Sequence, residues 1–131
     1  MMTAALLLTA VLFGGMVLYS FGFAAFLFTA LPPDVAGPTI RRAFPLFYLF
    51  VIATAAAAGA IAWASDARVA GLLAVIALTT VPTRQFLMPA INGASDTGAR
   101  TRFKVLHGLS VLITFAHIGM AGAALVMLAG G

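Results

Sequence analysis

The chain has 131 residues, of which 63% are hydrophobic and 8% are charged, and its mean hydropathy is +1.15. Soluble domains carry about 25% charged residues, so this composition excludes an ordinary soluble domain. The absence of cysteine excludes disulfides, thiolate metal sites and a cysteine nucleophile. The net charge of +4 comes from basic residues in or next to loops, without a basic groove, so we expect no nucleic-acid partner.

Four apolar runs are each long enough to cross a bilayer as a helix, which takes about 20 residues. We predict a single all-α domain over residues 1–131, an integral membrane four-helix bundle. Pro32 and Pro33 end the first run, and Ser65 or Asp66 caps the third helix. Pro45 falls in the first turn of the second helix. The predicted spans are residues 4–28, 44–64, 69–90 and 102–128.

The basic residues predict the orientation of the bundle. The short second loop holds only Arg68, which Asp66 offsets, whereas the first loop and the third region are basic. Positive charge marks the cytoplasmic side, so we expect both termini on the non-cytoplasmic side. The Ala- and Gly-rich composition indicates a multi-pass protein of the bacterial inner (cytoplasmic) membrane. The basic residues on the cytoplasmic side are Arg41, Arg42, Arg84, Arg100, Arg102 and Lys104.

Aromatic and small residues indicate two kinds of interface. Trp63 is expected at the outer membrane interface, and Phe44, Phe47 and Tyr48 are expected to form an aromatic belt at the inner one. Small residues over 55–62 allow the second helix to approach its neighbours closely. We expect them to pack the bundle, with the remaining small residues available for a second copy or a partner protein.

A polar stripe runs along the fourth helix. His107, Ser110 and Thr114 are spaced three and four residues apart, and His117 follows after three more, so all four share one face. Polar side chains in a membrane are costly unless they face protein or water, so this face points inward. A structural role is the alternative, because hydroxyls bond carbonyls one turn back and histidines bond across helices.

Three helices place polar groups at a similar depth in the cytoplasmic half. A guanidinium at this depth can bind an anionic head group or a carboxylate through two hydrogen bonds, and a histidine beside it can exchange a proton near neutral pH. The alternative for Arg84 is snorkelling to the interface. We predict no catalytic residue. The predicted ligand-binding residues are Tyr48, Arg84, Gln85, His107, Ser110 and Thr114.

Metal and haem are weighed as alternatives. His117 and Met120 pair an imidazole with a thioether, which suits copper, and simple packing is the other interpretation. His107 and His117 are about 15 Å apart along one helix, so they cannot both bind one haem iron. The aspartates all lie outside the spans, which removes the usual carboxylate proton relay. We therefore predict no cofactor and keep haem and copper as alternatives.

Four short motifs follow one another along the chain: Leu31-Pro32 with Gly37, Phe44-Pro45 followed by Phe47 and Tyr48, Arg84 followed by Pro89, and Phe103 with His107-Gly108-Leu109-Ser110. In this order they resemble the transmembrane protein 205-like family, which includes bacterial four-helix proteins of unknown function. The family often has Asn where Thr114 stands, and the Arg-to-Pro spacing is shifted by one. The resemblance implies a fold and supplies no reaction.

The sequence favours a non-enzymatic role: an accessory, assembly or small-ligand/lipid-binding subunit with a polar cluster in the cytoplasmic half. One alternative is a haem- or metal-dependent redox protein that uses His107 or His117. A second alternative is a component of an oligomeric transporter or efflux system, which needs at least a dimer because one chain is small for alternating access. The expected partners are the lipid bilayer and either a second copy or a larger membrane complex.

Overall fold

The computed structural model describes residues 1–130, and this part of the chain is helical with short connections. Each of its four long helices is apolar enough to cross a membrane. Short connections make consecutive helices antiparallel neighbours, and the fourth helix closes the ring against the first. The helices are α1 (Met2–Ala30), α2 (Pro33–Ala62), α3 (Ala67–Asp96) and α4 (Arg100–Gly130).

One half of the bundle is tightly packed, and we call it the closed half (residues 2–17, 50–62, 67–80 and 117–130). Its interior is aliphatic, with Leu12, Leu73 and Ile76 fully buried. A Cβ added at Gly59 would lie 3.3 Å from the Cβ of Leu73, so α2 and α3 meet there at close range. Small residues allow helix backbones to approach in lipid, as the sequence predicts for this stretch of α2.

The start of α2 differs from the predicted span. The helix begins at Pro33 rather than at residue 44, and both Pro38 and Pro45 lie inside it. The backbone N–H groups of Val35 and Ala36 donate to the Pro32 carbonyl at 3.0 and 2.9 Å, which closes the first turn. The predicted first loop is therefore mostly helix, and Pro45 is not in a first turn.

The polar end of α2 contacts α3 through one ion pair and one hydrogen bond. The Arg41 guanidinium lies 2.8 Å from an Asp96 carboxylate oxygen and donates to the Asn92 carbonyl at 3.1 Å. The third helix also runs on to Asp96, so the predicted polar loop from Asn92 to Arg100 is reduced to residues 97–99.

The turn between α2 and α3 follows the sequence prediction. The Asp66 carboxylate accepts hydrogen bonds from the backbone N–H groups of Arg68 and Val69 at 2.9 and 3.3 Å. These bonds satisfy two of the N–H groups that every helix start leaves free. The predicted cap is confirmed.

Two π-helical segments lie where the closed half ends. Leu18–Phe23 interrupts α1, and Thr83–Leu87 interrupts α3. Pro82 has no N–H to offer the carbonyl one turn back, which favours the wider turn that follows it. A wider turn shifts all later residues around the helix axis relative to a regular 3.6-residue helix.

The aromatic residues predicted to form a belt at the inner membrane interface form an internal cluster between α1 and α2. Phe47 and Tyr48 are only 4% and 7% exposed. The Tyr19 ring of α1 stacks on Phe47 with centroids 4.7 Å apart, and it meets the edge of Phe44 at 5.7 Å. These rings fill the space between α1 and α2, where bulky side chains face inward.

A candidate ligand-binding cavity

A cavity of about 530 Å³ lies between all four helices in the other half of the bundle, which we call the open half (residues 18–49 and 81–116). Its volume is typical of small-molecule sites, which span about 300–1,000 Å³. Most of its wall is apolar. The larger apolar side chains of the wall are Phe21, Phe28, Phe44, Met88, Ile91, Phe103, Val111 and Phe115.

The course of α1 creates this cavity. Met2–Val17 packs against both α2 and α4, whereas Ala24–Ala30 packs against α2. Among the described residues, the backbone of the second half of α1 does not approach α4 closely. The rings of Phe21 and Phe115 face each other across this gap with centroids 5.4 Å apart. The space between α1 and α4 is therefore covered by side chains rather than by close helix packing.

Four of the predicted ligand-binding residues line the cavity. Two of them are Ser110 and Thr114. The Ser110 hydroxyl donates to the His107 carbonyl at 2.7 Å, and the Thr114 hydroxyl donates to the Ser110 carbonyl at 3.0 Å. Each hydroxyl oxygen keeps a lone pair that can accept a hydrogen bond from a ligand. The structural bonds and a binding role are therefore compatible.

Tyr48 and His107 complete this set with groups that the protein leaves unpaired. The Tyr48 side chain lines the cavity and is only 7% exposed. Its hydroxyl has no hydrogen-bond partner within residues 1–130. His107 lines the same cavity and stacks on Phe103 with centroids 5.4 Å apart. Its ring nitrogens likewise have no partner in the described part of the chain. His107 is exposed, and the Tyr48 hydroxyl is not fully enclosed, because every fully buried side-chain N or O atom among the described residues has a hydrogen-bond partner. Both groups are therefore open to a ligand.

The other two predicted residues, Arg84 and Gln85, do not line the cavity. The Arg84 guanidinium donates from Nε to the Pro45 carbonyl at 3.2 Å and from Nη1 to Gln85 Oε1 at 2.9 Å. Arg84 thus links α3 to α2 one helical turn from Tyr48, and its side chain lies outside the cavity. Both residues lie in the π-helical segment Thr83–Leu87 of α3.

The mouth of the cavity contains polar residues that sequence reasoning missed. Arg41, Asn92 and Ser95 line it, and Arg41 is held by Asp96 and by the Asn92 carbonyl. Arg41 lies two helical turns before Tyr48, a spacing that puts both on one face. This spacing is informative only if residues 34–43 are helical, whereas the sequence predicts a loop there.

His117 lies in the closed half, away from the cavity. It is buried, and its Nε2 is 2.7 Å from the Thr79 hydroxyl. That hydroxyl donates its hydrogen to the Val75 carbonyl at 2.6 Å, so His117 Nε2–H is the donor in the bond to Thr79. Met120 follows on α4, half-buried beside the core. Among the described residues, no three His, Cys, Asp or Glu side chains lie together as metal ligands.

The fold and the cavity define a class: small membrane proteins with four transmembrane-capable helices and an internal cavity at one end. Residues 7–100 match the family described as a domain of unknown function (DUF4149), and the chain belongs to this family. The matched segment contains α1 to α3 and three of the four sequence motifs, while the fourth, His107–Ser110, lies beyond it. No curated protein and no solved structure matches the chain.

Proposed function

We propose that this protein is a non-enzymatic binding protein that holds one amphipathic molecule, a lipid or a quinone, in the cavity of the open half. The observation that carries the proposal is the cavity itself, which combines an apolar wall with a few inward polar groups. Tyr48 and His107 supply hydrogen-bonding groups that have no partner among residues 1–130. An accessory or assembly role follows when the bound molecule is passed to a partner, or a second copy, within the bilayer.

We further propose that the cavity lies on the cytoplasmic side of a bacterial inner membrane, with both termini outside. Six of the seven basic and two of the three acidic residues lie in the open half, which therefore carries the whole net charge of +4. The positive-inside rule supports this orientation. We also propose a relationship to the transmembrane protein 205-like family. It rests on the four sequence motifs, three of which fall within the matched segment.

The orientation can be tested because the chain contains no cysteine. Ser65→Cys reports the α2–α3 turn, and Thr97→Cys reports the α3–α4 turn; both positions are exposed. We expect an impermeant maleimide applied to whole cells to label Ser65→Cys and to leave Thr97→Cys unlabelled. The opposite pattern would overturn the proposed orientation.

The binding proposal is tested by a matched pair of neighbouring alanines on α1. Ala24 lines the cavity, whereas Ala25 is exposed and does not. Ala24→Phe should fill part of the cavity and remove at least four-fifths of the lipid or quinone that co-purifies, measured by mass spectrometry of an organic extract. Ala25→Phe should retain the wild-type amount. Equal amounts in both variants would contradict binding in the cavity.

A haem protein is the second candidate, because the His107 imidazole lines the cavity and has no partner in the described chain. An absorption spectrum of protein purified gently from its native membrane separates the two. A Soret band that scales with protein and disappears in His107→Ala would identify haem. A spectrum without visible bands favours a colourless ligand. Metal analysis of the same sample, with His117→Ala for comparison, tests the copper alternative.

A further inference from the structure

A second, shallow depression adjoins the mouth of the cavity. It has a volume of about 290 Å³. Ser95 and Phe103 line both it and the cavity, so the two spaces are neighbours. The remaining wall of the depression carries two cations, Arg100 and Lys104. An apolar cavity thus opens directly beside a positively charged surface.

The two cations have no counter-charge within residues 1–130. Arg41 is paired with Asp96 at 2.8 Å, but Arg100 and Lys104 form no ion pair with any described residue. They are four residues apart on α4 and so share one face of that helix. Like charges at this spacing repel each other, and a bound anion would relieve the repulsion.

The size of the cavity restricts the apolar part of the ligand. An apolar cavity of about 150 Å³ holds the six carbons of benzene. By the same ratio, the 530 Å³ of this cavity hold on the order of 20 carbons. The cavity runs along α4 from Phe103 to Phe115, about 18 Å at 1.5 Å per residue. These dimensions suit one hydrocarbon chain better than two.

Tyr48 and Ser110 add a third requirement. Ser110 lies six residues beyond Lys104, so it is about 9 Å deeper along the helix. Tyr48 lies two turns beyond Arg41 on α2, at a similar depth, and its hydroxyl faces the cavity without an acceptor among the described residues. A ligand with an oxygen acceptor between its charged head and its chain would receive this hydrogen bond.

We propose that the ligand is an anionic amphiphile with a single hydrocarbon chain, whose phosphate or carboxylate lies on Arg100 and Lys104 and whose chain fills the cavity. An ester or hydroxyl between the two accepts from Tyr48. This inference rests on the proposed binding function and names the chemical class of its ligand. Lysophosphatidate has all three features, oleate lacks the linking ester, and monooleoylglycerol lacks the charge.

The experiment measures binding of radiolabelled oleoyl-lysophosphatidate to the full chain in a neutral detergent, with unlabelled competitors. We expect Arg100→Gln with Lys104→Gln to weaken binding about tenfold, because two charge-assisted contacts are lost. The control is Arg42→Gln with Arg102→Gln, which changes the charge equally at exposed positions outside both spaces. It should change binding less than twofold.

The competitors distinguish the parts of the proposal. Competition by oleate at similar concentration would identify a carboxylate as an equal head group, and its failure would identify the phosphate ester; both results support an anionic head. Equal competition by monooleoylglycerol, with no effect of the Arg100 and Lys104 changes, would overturn the anionic head. Equal competition by two-chain phosphatidate would overturn the single chain. Unchanged binding to Ala24→Phe would instead overturn the proposed function.

Discussion

The closed and open halves of this bundle differ in how closely their helices approach one another. In the closed half, small residues such as Ala55, Ala58 and Gly59 let helices approach until backbone and side chain are in contact. In the open half, the rings of Phe44 and Phe47 separate α1 from α2, and a cavity remains beside them. Lipid provides no hydrophobic drive between helices, so residue size decides where a membrane bundle closes.

The two halves also differ in how they treat polar groups. In the closed half, Thr9 and Thr80 donate to carbonyls of their own helices at 2.7 and 2.6 Å, and His117 bonds Thr79. In the open half, Tyr48 and His107 have no partner among the described residues. Complete pairing is what a structural core requires. His107 is exposed and Tyr48 lines the cavity, and these are the groups that our binding proposal assigns to the ligand.

The largest effect is expected where α2 and α3 meet at close range in the closed half. A side chain at Gly59 would meet the Leu73 Cβ at 3.3 Å and the Ala70 carbonyl oxygen at 3.6 Å. Gly59→Leu should therefore force α2 from α3 and lower the free energy of unfolding by about 2–3 kcal/mol. Titration with SDS in mixed micelles, followed by circular dichroism, measures the change.

The matched control for this prediction is Gly71→Leu. A Cβ at Gly71 has nothing within 4 Å, so the residue faces the lipid. Its replacement should leave stability unchanged or raise it by up to about 1 kcal/mol through helix propensity. If the two leucine variants unfold together, small residues do not determine the packing of the closed half.

A smaller effect is expected from the polar pair between α3 and α4. Thr79→Val removes the acceptor of His117 Nε2–H, 2.7 Å away, and leaves a buried donor unpaired. The loss should be about 1 kcal/mol in the same unfolding assay. Thr54→Val is the control, because the Thr54 hydroxyl bonds only carbonyls of its own helix, Phe50 at 2.7 Å and Val51 at 3.4 Å. Equal losses would show that the interhelical bond has no special role.

The smallest effect on stability is expected in the open half. Tyr48→Phe removes a hydroxyl that has no partner in the described protein, so the free energy of unfolding should change by less than about 0.5 kcal/mol. The amount of co-purified amphiphile should nevertheless fall severalfold, because the ligand loses its donor. A loss of stability above about 1 kcal/mol, with ligand retained, would assign Tyr48 to the core instead.

The sequence predicts the four helices and part of the cavity because both depend on short-range regularity. Apolar length alone identifies the helices, and the spacing of His107, Ser110 and Thr114 is sufficient to place them on the cavity side of an unbroken helix, although His107 is exposed there. Depth along the helix groups Arg84 with these residues, but in the structure Arg84 bonds the Pro45 carbonyl and does not line the cavity. Depth can be read from the sequence, whereas the direction of a long side chain depends on its neighbours.

The mouth of the cavity could not be predicted from local pattern. Prolines normally end or kink a helix, yet α2 continues through Pro38 and Pro45. In this part of α2, Arg41 contacts Asp96 and Asn92 on α3. These contacts join residues that are far apart in the sequence, and no periodicity reports them. The second half of α1 poses the same difficulty, because its packing against α2 rather than α4 depends on the whole bundle.

The length of the helices has a consequence for the membrane around them. A helix of 30 residues, such as α2, is about 45 Å long, whereas the hydrocarbon layer is about 30 Å thick. Residues 34–42 and 92–104 carry most of the charge, so we expect the surplus length to lie at this polar end, beside the cavity. A change in bilayer thickness should then change how much of the cavity entrance lies in lipid.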